Sequence, residues 1–392
     1  MPFVGISLPG NDVRVTPKGS RVKLSTTTRT IALTGALAAS LTLTACGAAN
    51  ETSGGSSAAG GSSATDLSGT LNGAGSSAQQ AAMQAWAAGF SSQHSGVTVN
   101  YDPIGSGGGR QQFLSGGTAF AGSDAALSDE EVHRAKQRCP GGAYFELPDY
   151  ISPIAVVYNV PGVKNLRLSP DTLATIFTGA ITTWNDPAIA ADNPGAQLPN
   201  TKITPVHRSD NSGTTENFTD YLHAVAPTVW SNPASGTWPL QGGEAGAQTT
   251  GIIAAVKAGE GAIGYADASQ AGALGQAKIK VGSDYVAPSS AAAAKVVAAS
   301  PQVTGRVESD HAITIKRDIT TAGTYPIVLV SYHIGCLQYP DKATADIAHA
   351  FFAYVISAQG QQSAARAAGS APIDDQLRQS AQPVVDAIKA GS

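Results

Sequence analysis

Positive charge is scarce in this chain. Lys and Arg total 24 against 28 Asp and Glu, a formal net charge of −4, and charged residues of both signs make up only 13%. That balance argues against nucleic acid as a partner. It also means that any anion site must be local, built from aimed dipoles rather than from a basic surface. The seven histidines (94, 133, 207, 223, 311, 333 and 349) never fall at a His-x-x-x-His spacing, so nothing in their pattern suggests a catalytic metal. The Gly-rich run GSGGG at 105–109 lacks the Gly-Lys-Ser/Thr ending of a nucleotide-binding loop. There is no internal repeat. Cysteine occurs only at Cys46, Cys139 and Cys336.

What is present begins with a targeting segment. Arg14, Lys18, Arg21, Lys23 and Arg29 form a positive region ahead of the apolar run IALTGALAASLTLTA, 31–45. That run is short for a bilayer span, and no later segment is long and apolar enough to be one. It ends in Leu43-Thr44-Ala45-Cys46-Gly47, which resembles a bacterial lipobox. Residues 1–45 are therefore expected to be a lipoprotein signal peptide, with Cys46 lipidated as the mature N-terminus. Residues 46–65 read as a Gly/Ser-rich tether without core-forming side chains. Such a chain has an r.m.s. reach of about 25 Å, which would hold the folded body just above a membrane. With Cys46 removed, an exported chain keeps an even pair, Cys139 and Cys336, which suggests a disulfide; two buried thiols are the alternative.

The chain of 392 residues is long for one typical domain, and its 42% hydrophobic content can fill substantial cores. From residue 66 onward, strand-like and helix-like patterns alternate, which predicts α/β layers with sheets covered on both faces. In the helical run 77–93, Met83, Trp86 and Phe90 share one face. Residues 151–160 and 324–334 read as buried strands. The run ADIAHAFFAYVISAQGQQSAARA reads as one long helix, and 280–320 as ambiguous.

Three strand-to-helix turns share a composition rich in glycine and hydroxyls: GAGSSA (73–78), IGSGGGR (104–110) and SDNSGTT (209–215). Helix N-termini carry unpaired N–H groups and about half a positive charge, and glycine lets backbone approach a ligand. Three such turns, with Arg208 beside the last, point to a common anion. Asp210 either holds the Arg208 fork or caps a helix. Asp124, in AGSDAAL, repels an anion unless a proton lies between them. An ionised carboxylate only accepts hydrogen bonds. It therefore suits hydrogen phosphate and disfavours sulfate, unless it merely caps a helix over 125–136.

The motifs GAGSS, YDPIGSGGGRQQF, FAGSDAALSDEE, HRSDNSGTTENFTDYL and GAIGYAD resemble, in order and over nearly the whole mature chain, the phosphate-binding lipoproteins that serve phosphate-specific ABC transporters. The resemblance implies a two-lobed periplasmic-binding-protein-like α/β fold of type II, with the ligand cleft between lobes. Residues 66–148 plus 323–392 would form lobe 1 and 149–322 lobe 2. It implies inorganic phosphate held by Ser77, Ala78, Ser106, Asp124, Arg208, Ser212, Gly213 and Thr214, with Asp210 orienting Arg208. Ser77 and Ala78 stand where the family more often has threonine and an aromatic. Gly107 replaces a frequent second serine, Arg110 is unusual and expected to face outward, and 280–322 matches no motif. The expected protein is a monomeric, lipid-anchored, extracytoplasmic binding protein. It would pass phosphate to ABC transporter permease subunits in the membrane, bind no nucleic acid, need no cofactor and no metal, and have no enzymatic activity. The competing readings are a receptor for another oxyanion, such as sulfate or molybdate, and a phosphatase on a related scaffold.

Overall fold

The computed structural model describes residues 67–391. The expected signal peptide, the lipidation site Cys46 and the tether lie outside the described residues. The chain first alternates β1 (Ser68–Gly75), α1 (Gln80–Gln93), β2 (Gly96–Asp102), α2 (Ser106–Leu114), β3 (Phe120–Ser123) and α3 (Asp129–Arg138), then enters the long strand β4 (Tyr144–Tyr158). There follow β5 (Arg167–Leu168), α4 (Pro170–Phe177), α5 (Pro187–Asp192), β6 (Thr204–Arg208), α6 (Gly213–Val225), β7 (Glu244–Gly246), α7 (Gln248–Ala258) and β8 (Ala262–Asp267). The short strands β9 (Gly275–Gln276), β10 (Lys278–Val281) and β11 (Asp284–Val286) lead to α8 (Ser290–Ala298). The chain ends with β12 (Val328–Cys336), β13 (Gln338–Tyr339), α9 (Lys342–Ile356), α10 (Ala358–Ala368), α11 (Asp375–Asp386) and β14 (Lys389–Ala390).

Among the described residues, the main sheet runs β2-β1-β3-β12-β4-β8-β6-β7, with β9 beside β4. Two parallel groups, β2-β1-β3 and β8-β6-β7, are joined through the antiparallel strands β12 and β4. β4 serves both groups. Its residues 144–153 pair with β12, and its residues 154–158 pair with β8. All fifteen residues of β4 and all nine of β12 are buried, which explains why both read as continuous apolar runs rather than alternating ones. The sheet is mixed and curled, with helices packed on it, as expected of a two-lobed periplasmic-binding fold.

Local signals act where physics predicts. Ser128 and Glu131 form a capping box at the start of α3, so the Asp124 carboxyl is not that helix's cap. Met83, Trp86 and Phe90 are buried on one face of α1, and the Trp86 indole N–H donates to Gly360 O at 2.8 Å. The single long C-terminal helix expected from composition is two helices. Ser357 adopts an extended backbone and its hydroxyl accepts from Gly360 N at 3.0 Å, opening α10 one residue after α9 ends. Gly360 is needed there, because a side chain would collide with Tyr354 O. Cys139, at the end of α3, is bonded to Cys336, at the end of β12, across 197 residues with Cα atoms 5.4 Å apart. The pair is therefore a disulfide rather than two thiols.

The ambiguous stretch has structure. β10, β11 and β5 form a side sheet, and α8 packs on β4. Residues 301–314 then run past the start of β4, where Glu146 N donates to Ser309 O at 3.0 Å and His311 N donates to Glu146 O at 2.8 Å.

Candidate functional site

The turn after β1 is tightly constrained. Gly75 has φ +149, and a side chain on it would collide with Gly122 O of β3. Ser76 Oγ then accepts from Ala78 N at 3.1 Å and Gln79 N at 3.2 Å. The Ala78 N–H, expected to face an anion, donates here to Ser76 instead. Ser77, 1% exposed, turns the other way. Its Oγ lies 3.0 Å from Thr249 Oγ1 and accepts from Thr249 N at 3.0 Å, at the start of α7.

The turn after β2 lies directly against the first. Gly105 N donates to Gly75 O at 2.8 Å, and a Cβ on Gly109 would strike Gly75. Gly105 also has φ +99, and a side chain there would clash with Asp210 Oδ2. Gly107 N donates to Asn211 O at 3.1 Å. The IGSGGG glycines therefore allow three backbone segments to meet. Ser106 Oγ accepts from Asp124 N at 3.1 Å, which ties the second turn to the loop after β3.

Asp124 is 3% exposed. Its Oδ1 accepts from Ser331 Oγ at 2.7 Å and its Oδ2 from Thr214 Oγ1 at 2.9 Å, while its backbone O accepts from Asn217 Nδ2 at 2.6 Å. Both oxygens thus take hydroxyl protons, the behaviour of an acceptor. Asn217 is fixed in turn by the buried Arg317 guanidinium.

β6 delivers Arg208, whose Nε donates to Asp210 Oδ1 at 2.8 Å and whose Nη2 pairs with Asp210 Oδ2. The guanidinium is buried and Asp210 partly so. Burial pushes the Asp210 carboxyl up, but the bonds and charge of Arg208 and the Gln248 amide, 2.9 Å away, outweigh it and hold the pKa below the ordinary value. Asp210 therefore orients Arg208 through two of its donor nitrogens and leaves the rest of the fork to other partners. Ser212 Oγ caps α6 by accepting from Thr215 N at 3.2 Å. Its own proton stays available to donate. Gly213 and Thr214 are first-turn residues whose N–H groups have no intrahelical acceptor. A Cβ on Gly213 would lie 2.8 Å from Ser106 Oγ and 2.7 Å from Ala125 N, so the third turn packs against the second. Tyr265 of β8 supports this entrance from below. Its hydroxyl accepts from Arg208 N at 3.3 Å and lies 2.8 Å from Thr215 Oγ1, and burial raises its pKa to about 12.

Ser106, Asp124, Arg208, Asp210, Ser212, Gly213 and Thr214 are thus contiguous, and Ser77 joins them through α7, since Gln248 touches Asp210 and Thr249 touches Ser77. Arg110 differs from expectation. It is 6% exposed rather than outward-facing, with Nε donating to Glu131 Oε1 and Nη1 to Ser123 Oγ, both at 2.8 Å. A fourth helix entrance, GAQTTG at 246–251, has the same small, hydroxyl-bearing composition as the other three and could have been found by it. Ser331 carried no such signal, being one residue of a buried strand. Nor did the layer behind α1, where Gln79 Nε2 donates to Asp149 Oδ1 at 2.9 Å and His333 Nδ1 lies 2.5 Å from Asp149 Oδ2.

Two parallel α/β groups sharing two crossing strands, with four helix entrances meeting beside one arginine and one acceptor carboxylate, define a receptor for a small anion. Comparison with known proteins is specific on this point. Residues 58–359 match the family model of the PBP superfamily domain. The phosphate-binding protein PstS2 of Mycobacterium bovis is 37% identical over 362 residues, covering 90% of this chain and 96% of the relative. The phosphate-binding protein PstS 3 of Mycobacterium tuberculosis is 38% identical over 369 residues, covering 91% and 98%. The chain belongs to the PBP superfamily and, within it, to the PstS family of phosphate-binding proteins. The fold is shared with the high-affinity periplasmic phosphate-binding protein PfluDING, solved with phosphate bound, at a TM-score of 0.68 and 23% identity over 80% of this chain and 93% of that one. It is also shared with the phosphate-binding protein of Stenotrophomonas maltophilia, at 0.64 and 19% over 81% and 94%.

Proposed function

We propose that this chain captures inorganic phosphate in a cleft between two lobes and passes it to the permease subunits of an ABC transporter. The observation that carries the reading is the buried Asp124 carboxylate among converging helix entrances. Each oxygen already accepts one hydroxyl proton, and each keeps a lone pair. It can take one further proton, which hydrogen phosphate brings and sulfate lacks. The names of the PstS relatives support the same ligand. In this reading Arg208, the Gly213 and Thr214 amides, the Ser77, Ser106 and Ser212 hydroxyls and the Ala78 amide supply the donors, and Asp210 aims Arg208. Charge-assisted hydrogen bonds contribute about 1.5–3 kcal/mol each. Roughly ten of them, offset by phosphate desolvation and lobe closure, are enough for the roughly −8 kcal/mol of a micromolar complex.

Lobe 1 is then 66–148 with 323–392, and lobe 2 is 149–322. The division is supported by the change of partner along β4, from β12 to β8, although that change comes at residue 154 rather than 149 and residues 301–314 lie against the start of β4. The protein works outside the cytoplasm as a monomer, tethered through lipidated Cys46 and its Gly/Ser-rich linker, and turns over no substrate. Calorimetry tests the ligand reading. Phosphate should bind and sulfate should be rejected, and Asp124→Asn should cut the phosphate-to-sulfate preference by about tenfold or more. Equal affinity of the unaltered protein for both anions would sink the proton-reading role of Asp124.

A further inference from the structure

Ser77 and Thr249 are 172 residues apart and each is 1% exposed. Two contacts join them, both at 3.0 Å: Thr249 N–H donates to Ser77 Oγ, and the two hydroxyls meet. A serine hydroxyl has one proton and two acceptor positions. The amide can only donate, so it fills one acceptor position of Ser77. If the Thr249 hydroxyl fills the other, the single Ser77 proton has no protein partner and belongs to the ligand. If instead Ser77 donates to Thr249, no proton is left for an anion. We propose that Thr249 is a positioning residue, which saturates the acceptor side of Ser77 from the far wall of the cleft and so reserves the Ser77 proton for the bound anion.

The neighbouring contacts explain why this residue can do so. Gln248, immediately before it, holds φ +61 and gives its amide to Asp210, the residue that aims Arg208. One helix entrance therefore braces the cation on one side of the site and the hydroxyl donor on the other. Gln270 adds a second bond from the same wall, its Nε2 donating to Ser77 O at 2.8 Å. Among the described residues the Thr249 amide has Ser77 Oγ as its partner, so in this proposal the bond forms when the walls are together and is lost when they part. Closure and the aiming of the proton are the same event.

This inference rests on the phosphate site proposed above, and calorimetry with inorganic phosphate on the full chain separates the two. Thr249→Val keeps the shape and the amide but removes the hydroxyl. It should weaken phosphate binding about tenfold, mostly through faster dissociation. Thr249→Ser should restore the original affinity. Ser77→Ala should weaken binding, and adding Thr249→Val to it should change nothing further, because the valine acts only through Ser77. Independent, additive losses would overturn the proposal, as would a valine variant within twofold of the original. If Ser77→Ala itself binds phosphate normally, the site assignment at that entrance fails and the inference with it. Unchanged melting of the ligand-free variants separates lost binding from lost folding.

Discussion

The turns after β1, β2 and β3 bring hydroxyls and one carboxylate to the proposed site, from Ser77, Ser106 and Asp124. The turn after β6 brings a guanidinium and two helix amides, from Arg208, Gly213 and Thr214. The cation near the first group, Arg110, is committed to Glu131 and Ser123. The first side taken alone therefore presents net negative charge. The second alone has a cation already balanced by Asp210. In the proposed reading, an anion would gain its full set of partners only where both sides reach it, which would make binding and closure one equilibrium.

The layers behind the two sides differ as well. Behind the first, Asp149 meets His333 and Gln79; burial raises its pKa while the imidazole pulls the other way. Behind the second, Asp267 has only hydroxyls and an amide, from Tyr150 at 3.1 Å and from Ser269, and burial pushes its pKa up to about 6. One buried acid has a basic partner and the other has none, so the two sides differ in what holds their buried charge.

Three changes would sharpen or break this contrast. The largest effect is expected from Arg208→Ala, which removes the site's cation and leaves Asp210 partly buried and unpaired. Phosphate affinity should fall about a thousandfold or more, and near-normal calorimetric binding would mean that the second side does not supply the charge. Asp210→Asn keeps the shape but frees the guanidinium to swing. A loss of about tenfold is expected, and an unchanged Kd would show that packing alone aims Arg208. The smallest effect concerns stability. A folded-state pKa above the ordinary 3.8 means that Asp267 favours folding when protonated; this contribution is complete below 3.8 and lost as pH rises through about 6. Asp267→Asn should therefore melt a few degrees higher than the unaltered protein at pH 7 and gain nothing at pH 4. Parallel melting curves against pH would refute the difference between the two buried acids.

Much of this was legible locally. The burial of β4 and β12, the Ser128 and Ser212 caps and the amphipathic face of α1 follow from the residues themselves, because strand composition and helix capping depend on near neighbours. The Gly-rich turns were visible for the same reason. Arg110 misled because its partners, Glu131 and Ser123, lie 21 and 13 residues away. The break at Ser357 was hidden by a strongly helical composition on both sides of one capping serine.

By itself, the amino-acid sequence determined most of the segments that become helices and strands, which turns can approach a ligand, and which chemical groups are on offer: a guanidinium with a carboxylate two residues on, an aspartate in a glycine-bearing turn and a supply of hydroxyls. Those properties are written within a few residues of each other. Only the tertiary structure decided that Ser331 and Thr214 hold Asp124, that Ser77 faces Thr249, and that Asp267 is left without a cation. The Ser331–Asp124, Thr214–Asp124, Ser77–Thr249 and Tyr150–Asp267 contacts join residues 207, 90, 172 and 117 positions apart. Contacts of that span are set by how the two parallel strand groups meet along β4, and no local pattern encodes them.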